Sequence, residues 1–439
     1  MTPGRSPVTI HLAKEIWFSR RSGDAIQFVA LKDAAMAVDD LGKIIALGRA
    51  NEFKSQVHAE RTVDHGDGII MPGFVDAHLH CPQIDVIGSG GLPLLEWLNK
   101  YVFPAEAKFK DQKVAQSGAK RLVRELKRHG VTTAAVFSSV HAVAAEALFS
   151  EFDAAGLRLI SGKTSMDVGA PGEVLQPVRS DIEDQEALIK RWHGKAGRLF
   201  YAITPRFALS CSREMMRALG DLRERNLSCY VQSHISETTD EVAEVKKVWN
   251  GSKDYLAVYE DHGLLGAKTL LGHGIYLTDP EIRRMAATKT SVVHCPTSNS
   301  FLGSGLFNLK RTADLGARIC LASDIGAGTG LSPWQTMLEC YKVQALQGHR
   351  LTADELLYRA TLAGAESLGL DGTCGSLEVG KDADFIVVNP SRNRLLSERI
   401  AVTETPAERL FACMAYGDDR IIEETYVAGQ RLYAQSKAE

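Results

Sequence analysis

Apolar residues along this chain change their period twice. In residues 1–70 they fall in short extended runs separated by turn residues. Ala34-Ala35-Met36-Ala37-Val38 and Lys43-Ile44-Ile45-Ala46-Leu47 flank Asp39-Asp40-Leu41-Gly42, a spacing that predicts a hairpin. The C-terminal stretch reads the same way, with strand-like runs at 385–388 and 426–432 and turn residues between them. The middle of the chain alternates instead. Ala119, Leu122, Val123 and Leu126 stand at i, i+3, i+4 and i+7, one face of a helix. Strand-like runs occur at 74–80, 133–137, 158–163, 200–207, 229–234, 269–272, 291–294 and 318–323. Amphipathic helical segments such as 213–225 and 279–287 separate most of them.

Eight alternating strand–helix units over roughly 300 residues predict an α/β fold, a (β/α)8 barrel of the TIM type. The two β-rich ends predict one small flanking β domain. The expected division is 1–70 and 373–439 for that domain and 71–372 for the barrel. A doubly wound open sheet would place a glycine-rich dinucleotide turn after an early strand. Here the first strand of the middle region ends in histidines.

The length of 439 residues suits one large domain with an accessory. The net charge of −3 leaves no basic footprint for nucleic acid. Eight cysteines are scattered with no CxxC pair, which argues against a zinc ribbon or disulfide framework and for a reducing compartment. Residues 1–20 carry charges and no apolar core, so they do not read as a signal peptide. No apolar run approaches the roughly 20 residues of a membrane span. The expected setting is the cytoplasm, away from membranes, with a homodimer as the commonest default for an oligomer.

Candidate chemistry enters at Phe74-Val75-Asp76-Ala77-His78-Leu79-His80. Residues i and i+2 of a strand share a face, so His78 and His80 aim two imidazoles at one point, as a borderline metal needs. Taken alone, two chance histidines on a polar face explain the pair equally well. In a barrel, catalysis gathers at the C-terminal ends of the strands. The fifth strand ends in His234, followed by Ile235-Ser236-Glu237; the sixth ends at His273; the eighth ends in Ser323-Asp324. Each alone reads as structural, Asp324 for instance as a helix N-cap. Together they make a constellation.

That pattern resembles the amidohydrolase superfamily of metal-dependent hydrolases: HxH after strand 1, histidines after strands 5 and 6, and an aspartate after strand 8. The run Gly375-Ser376-Leu377-Glu378-Val379-Gly380-Lys381-Asp382-Ala383-Asp384 and the flanking β domain resemble it as well. The resemblance implies a metal held by His78, His80 and His234, with Asp324 as a further ligand and proton acceptor, and His273 orienting the attacking water or ligating directly. One zinc per chain is expected, with iron or manganese left open by ligand type. Two-metal members carry a bridging lysine after strand 4. Strand 4 here ends in Thr204-Pro205-Arg206-Phe207, and Lys163 falls after strand 3, so a mononuclear site is expected. A binuclear amide or lactam hydrolase using Lys163 stays open at this point. His294 reads as supporting or structural.

Glu237, three residues past His234, stands where zinc deaminases keep a proton-shuttling glutamate. Several stretches are closer still to the guanine deaminase family. They are Pro72 through Gln83, Leu92-Pro93-Leu94-Leu95-Glu96-Trp97-Leu98, Thr204 through Cys211, Gln232 through Glu237, and His294 through Asn299. This resemblance implies hydrolytic deamination of guanine to xanthine and ammonia. Arg206 would read the purine edge, since guanine presents acceptors that arginine pairs bidentately. Gln83 would complete a polar edge contact, Phe207 would offer a flat wall, and Trp97 would cover the pocket. Read without the resemblance, Arg206 is a surface ion pair and Phe207 is core. The loop Ser323-Asp324-Ile325-Gly326-Ala327-Gly328-Thr329 departs from the family's usual glycine arrangement, which leaves substrate tolerance open. Another purine, a triazine or a nucleoside-like substrate is the alternative, as is a decayed non-enzymatic scaffold.

Overall fold

Two sheets divide the chain. In the computed structural model, which describes residues 7–23, 25–56 and 59–436 and the side chains of all but 54–56 among these, one sheet is wholly parallel and the other is mixed. Residues 1–6 of the N-terminal stretch read above lie outside the described residues.

The parallel sheet holds β1 (Phe74–His80), β2 (Val131–Phe137), β3 (Arg158–Gly162), β4 (Leu199–Pro205), β5 (Tyr230–Ile235), β6 (Thr269–His273), β7 (Ser291–His294) and β8 (Arg318–Leu321), paired in that order. Every residue of β1 and β2 is buried, as expected of strands covered on both faces. The chain just past β8 closes the ring. The Asp324 N–H donates to the His78 carbonyl at 2.9 Å, and the His80 N–H donates to the Ile325 carbonyl at 2.6 Å. The same closure sets Asp324 beside the two histidines of β1.

Helices cover the outside, and their ends follow local rules. The helix Gln112–Arg128 contains the predicted stripe and buries Ala115, Ala119, Leu122, Val123 and Leu126. Asp111 caps it by accepting from the N–H groups of Lys113 and Val114. Thr238 and Glu241 form a capping box at the start of Thr239–Val248, just beyond β5. The lid-like stretch after β1 is built of short helical turns: Leu94–Trp97, Leu98–Val102, Phe103–Ala107 and Lys108–Lys110.

The second sheet joins both ends of the chain. Thr9–Ser22 and Ala25–Val38 form a long antiparallel pair, and Ala25–Val38 continues into the predicted hairpin with Ile44–Arg49. Ile69–Pro72 lies parallel to the first of these and antiparallel to Phe385–Val388. The stretch 426–432, expected as one strand, is instead split between Ile422–Val427 and Gln430–Ala434. Ala428 and Gly429 have φ of 46° and 73°, both left-handed, as a two-residue hairpin turn requires. At the tip of the N-terminal hairpin, a Cβ on Gly42 would stand 2.2 Å from the Ala428 carbonyl oxygen, so the two hairpins touch where only glycine fits. The C-terminal stretch also carries two helices, Arg394–Ile400 and Pro406–Tyr416. The buried Arg158 on β3 ties the sheets together through Asp384 at 2.8 Å and Asp382 at 2.6 Å. Among the described residues no helix is long and apolar enough to cross a membrane.

Candidate active site

Imidazoles from two barrel strands meet at the mouth of the ring. His78 and His80 project from β1, and His234 arrives from β5; the ligand atoms of all three lie within 4.8 Å of one another. The Nε2 atoms of His80 and His234 are 3.1 Å apart. Phe137, at the end of β2, packs against all three rings with centroids 4.6–4.8 Å away. On β6, a Cβ added to Gly272 would stand 2.8 Å from Cε1 of His78, so glycine makes room for that ring. The Nδ1 of His234 donates to the Arg206 carbonyl at 2.6 Å. A carbonyl only accepts, so this bond fixes the tautomer and turns the Nε2 lone pair toward the centre.

Asp324 completes the cluster. Its Oδ1 lies 3.4 Å from Nε2 of His78 and 3.3 Å from Nε2 of His80. Burial works against its charge, yet the neighbouring imidazoles of His78 and His80 hold its carboxyl well below the usual range. Burial drives the histidines the other way: His80 falls to about 3, and His78 and His234 fall as well. Neutral imidazoles beside a carboxylate are the forms a metal binds. Nε2 of His78 and Nδ1 of His80 are buried without a hydrogen-bond partner, and two ring nitrogens face each other across 3.1 Å. A cation among the Nε2 atoms of His78, His80 and His234 would satisfy the first of these and relieve the facing pair, and three nitrogens with one carboxylate oxygen suit a borderline divalent metal.

Backbone strain collects here. Ser236, His273 and Asp324 have φ of 51°, 71° and 51°. Non-glycine residues enter that region only when their surroundings hold them there. For Asp324 the hold is visible: buried Asp76 grips the preceding Ser323 through its Oγ at 2.5 Å and its N–H at 3.0 Å.

Glu237 and His273 stand side by side at the same mouth. Nδ1 of His273 donates to Oδ1 of Asn299 at 2.9 Å, which turns Nε2 toward Glu237 at 3.5 Å and Asp324 at 3.8 Å. Burial opposes the charged form of His273, but those two carboxylates outweigh it and raise its pKa. Burial pushes Glu237 up to about 7. Its Oε1 accepts from the Ser304 hydroxyl at 2.9 Å, and its N–H donates to Glu241 at 2.7 Å.

A small, half-enclosed cavity opens over these groups. Gln83, Trp97, Arg206 and Phe207 line it together with His80, His234, Glu237, His273 and Asp324. His78 is covered by its neighbours, 1 % exposed. Arg206 is buried rather than a surface ion pair. Its Nη1 donates to both oxygens of Glu106, at 2.6 and 2.7 Å, and Nε2 of Gln83 donates to the same carboxylate at 3.0 Å. Glu106, Ser304 and Asn299 were not legible as site residues. Glu106 carries no motif at all, whereas Glu241 is marked by its capping box.

The Lys163 alternative loses its footing, and His294 stands where a supporting residue was expected. The Lys163 ammonium is fully buried against Asp181, with Asp184 3.6 Å away, and it does not line the cavity over the histidine cluster. His294 does not line the cavity; it stacks on Phe307 with centroids 4.6 Å apart. A grouping of His78, His273, Cys295 and Asp324 also falls within 4.8 Å, but burial drives the Cys295 thiol well above its ordinary pKa, which disfavours the thiolate.

The amidohydrolase family profile matches residues 69–432. The guanine deaminase of Escherichia coli K12 is 42% identical over 396 residues, covering 90% of each chain. A solved structure of an E. coli guanine deaminase superposes with a TM-score of 0.94 at 38% identity, covering 98% of this chain and 100% of that one. A guanine deaminase from C. acetobutylicum, solved with guanine bound in its active site, superposes with a TM-score of 0.89 at 32% identity, covering 97% and 100%.

Proposed function

The chain belongs to the amidohydrolase family, and from that premise we propose that it hydrolyses guanine to xanthine and ammonia in the cytoplasm. In this reading residues 71–372 are the catalytic unit, and His78, His80 and His234 hold one zinc, with Asp324 as a further or near ligand. When bound, such a cation stabilises hydroxide and so supplies a nucleophile near neutral pH. The protein's own groups do the remaining work. Asp324, held as a carboxylate, accepts the proton of the attacking water. Glu237, whose carboxyl burial raises to about 7, gives a proton to the ring nitrogen beside the attacked carbon and makes that carbon more electrophilic. Proton return to the amino group lets ammonia leave. His273, anchored by Asn299, orients the water. Arg206 and Gln83 face the polar edge of the purine, Phe207 offers its ring as a wall, and Trp97 covers the base.

The observation that carries the reading is one cavity that joins a three-imidazole donor set to a buried arginine and glutamine. The eight free, buried cysteines support a reducing compartment. The test is metal analysis joined to an ultraviolet assay on guanine, adenine, cytosine and 8-oxoguanine. Zinc near one per chain with guanine preferred is the expected result. Two metals per chain, or a preferred substrate other than guanine, would overturn it.

A further inference from the structure

Building on the guanine reading, we infer that Glu106 determines specificity: it positions Arg206 and Gln83 and cancels the arginine's charge. Glu106 is fully buried on the short helix Phe103–Ala107 and does not itself line the cavity. It is therefore a positioning residue. Its carboxylate holds two side chains that are far apart in the sequence, Nη1 of Arg206 at 2.6 and 2.7 Å and Nε2 of Gln83 at 3.0 Å. The Gly326 N–H donates to Oε1 of Gln83 at 3.2 Å. A carboxylate only accepts and an N–H only donates, so the Gln83 amide is locked in one orientation. The ring of Phe103, on the same helix as Glu106, lies 5.6 Å under the guanidinium of Arg206.

Two consequences follow for the ligand. With Nη1 bonded to Glu106, Nη2 and Nε are the donors Arg206 has left for a ligand in the cavity it lines. That pair of donors matches the carbonyl oxygen and ring nitrogen of guanine, whereas adenine would set an amino donor against it. A site built to satisfy hydrogen bonds rejects the analogue that leaves them unpaired. The second consequence concerns charge. An unpaired buried guanidinium would draw an anion, but paired with Glu106 it presents a neutral dipole. The pocket then favours an uncharged base over an anionic purine such as urate.

The experiment compares E106Q, E106D, R206Q and the double variant E106Q/R206Q as holoenzymes. Zinc content, kcat and KM for guanine, and inhibition by urate are measured. E106Q is expected to raise KM by about tenfold or more with a smaller change in kcat and unchanged zinc, and to tighten urate inhibition. In the double variant KM should match R206Q alone, and urate inhibition should weaken again. E106D keeps the charge and shortens the reach, so it should raise KM without tightening urate; it decides the matter should E106Q not fold. An unchanged KM in E106D, or effects of E106Q and R206Q that add fully in the double variant, overturns the inference. Wild-type protein that leaves guanine untouched overturns the guanine reading instead.

Discussion

At the proposed metal end of the pocket every candidate donor stands on a barrel strand or shortly after one, and the backbone ladder fixes it there. His78 and His80 lie within β1, His234 within β5, and Asp324 is bonded through its own N–H to His78. At the end proposed to hold the base, Gln83, Trp97, Arg206 and Phe207 stand on short turns and loops beyond the strands, and one buried carboxylate, Glu106, joins two of them. On the proposed reading the barrel strands carry the chemistry, while the segment after β1 and the loop after β4 carry recognition. Such loops vary among barrel enzymes without disturbing the ring, so the same metal end supports different substrates.

The sharpest break between the two ends comes from removing a donor. His234→Ala should strip most of the metal and nearly all turnover, measured by metal analysis and the guanine assay on one sample. Retained zinc in that variant would take His234 out of the ligand set. Next in size is Glu237→Gln, which should keep zinc and lose about 10²–10⁴ in kcat, the range of general acid–base catalysis. Turnover near wild type would remove Glu237 from proton transfer.

Arg206→Ala probes the other end and should reverse the pattern. Zinc content stays, KM for guanine rises, and the discrimination lost is about 1–3 kcal/mol, the worth of one bidentate base contact. The substitution also strands Glu106, which is fully buried, so thermal stability should fall with it; breaking a buried pair costs about 3–5 kcal/mol. Zinc lost in parallel with guanine binding would mean that the two ends are not separable.

The same contrast explains what could be read from the chain. His78, His80, His234, His273 and Asp324 were legible because a period-2 strand and a strand-end rule locate them without knowledge of distant contacts. Helix limits at 213–225 were legible because Ser212 caps the start and the apolar stripe marks the length. Glu106 was not legible. It lies 23 residues from Gln83 and 100 from Arg206, and no local rule says that a glutamate in a helical turn will be buried against them. The Ala428–Gly429 turn was missed for another reason: its first central residue is an alanine at φ 46°, which propensity disfavours and the sheet enforces. Asn299 and Ser304 escaped because their hydrogen bonds to His273 and Glu237 depend on how the short helix Pro296–Phe301 and the turn after it pack beyond β7.

The smallest effect expected sits between the two ends, at Ser304. Burial pushes Glu237 up to about 7, and the Ser304 hydroxyl partly opposes this by hydrogen bonding to the charged form. Ser304→Ala removes that bond, so the Glu237 pKa should rise further. If Glu237 must be protonated to activate the ring nitrogen, its acid form then persists to higher pH. The alkaline limb of kcat should move upward by about half to one pH unit, the worth of one hydrogen bond of about 0.5–1.5 kcal/mol. Zinc content and KM should stay near wild type, because Ser304 touches neither the metal donors nor the purine-edge residues. An alkaline limb that stays in place while the acidic limb moves upward would show that Glu237 acts in its charged form. Its role would then be to take a proton rather than to give one.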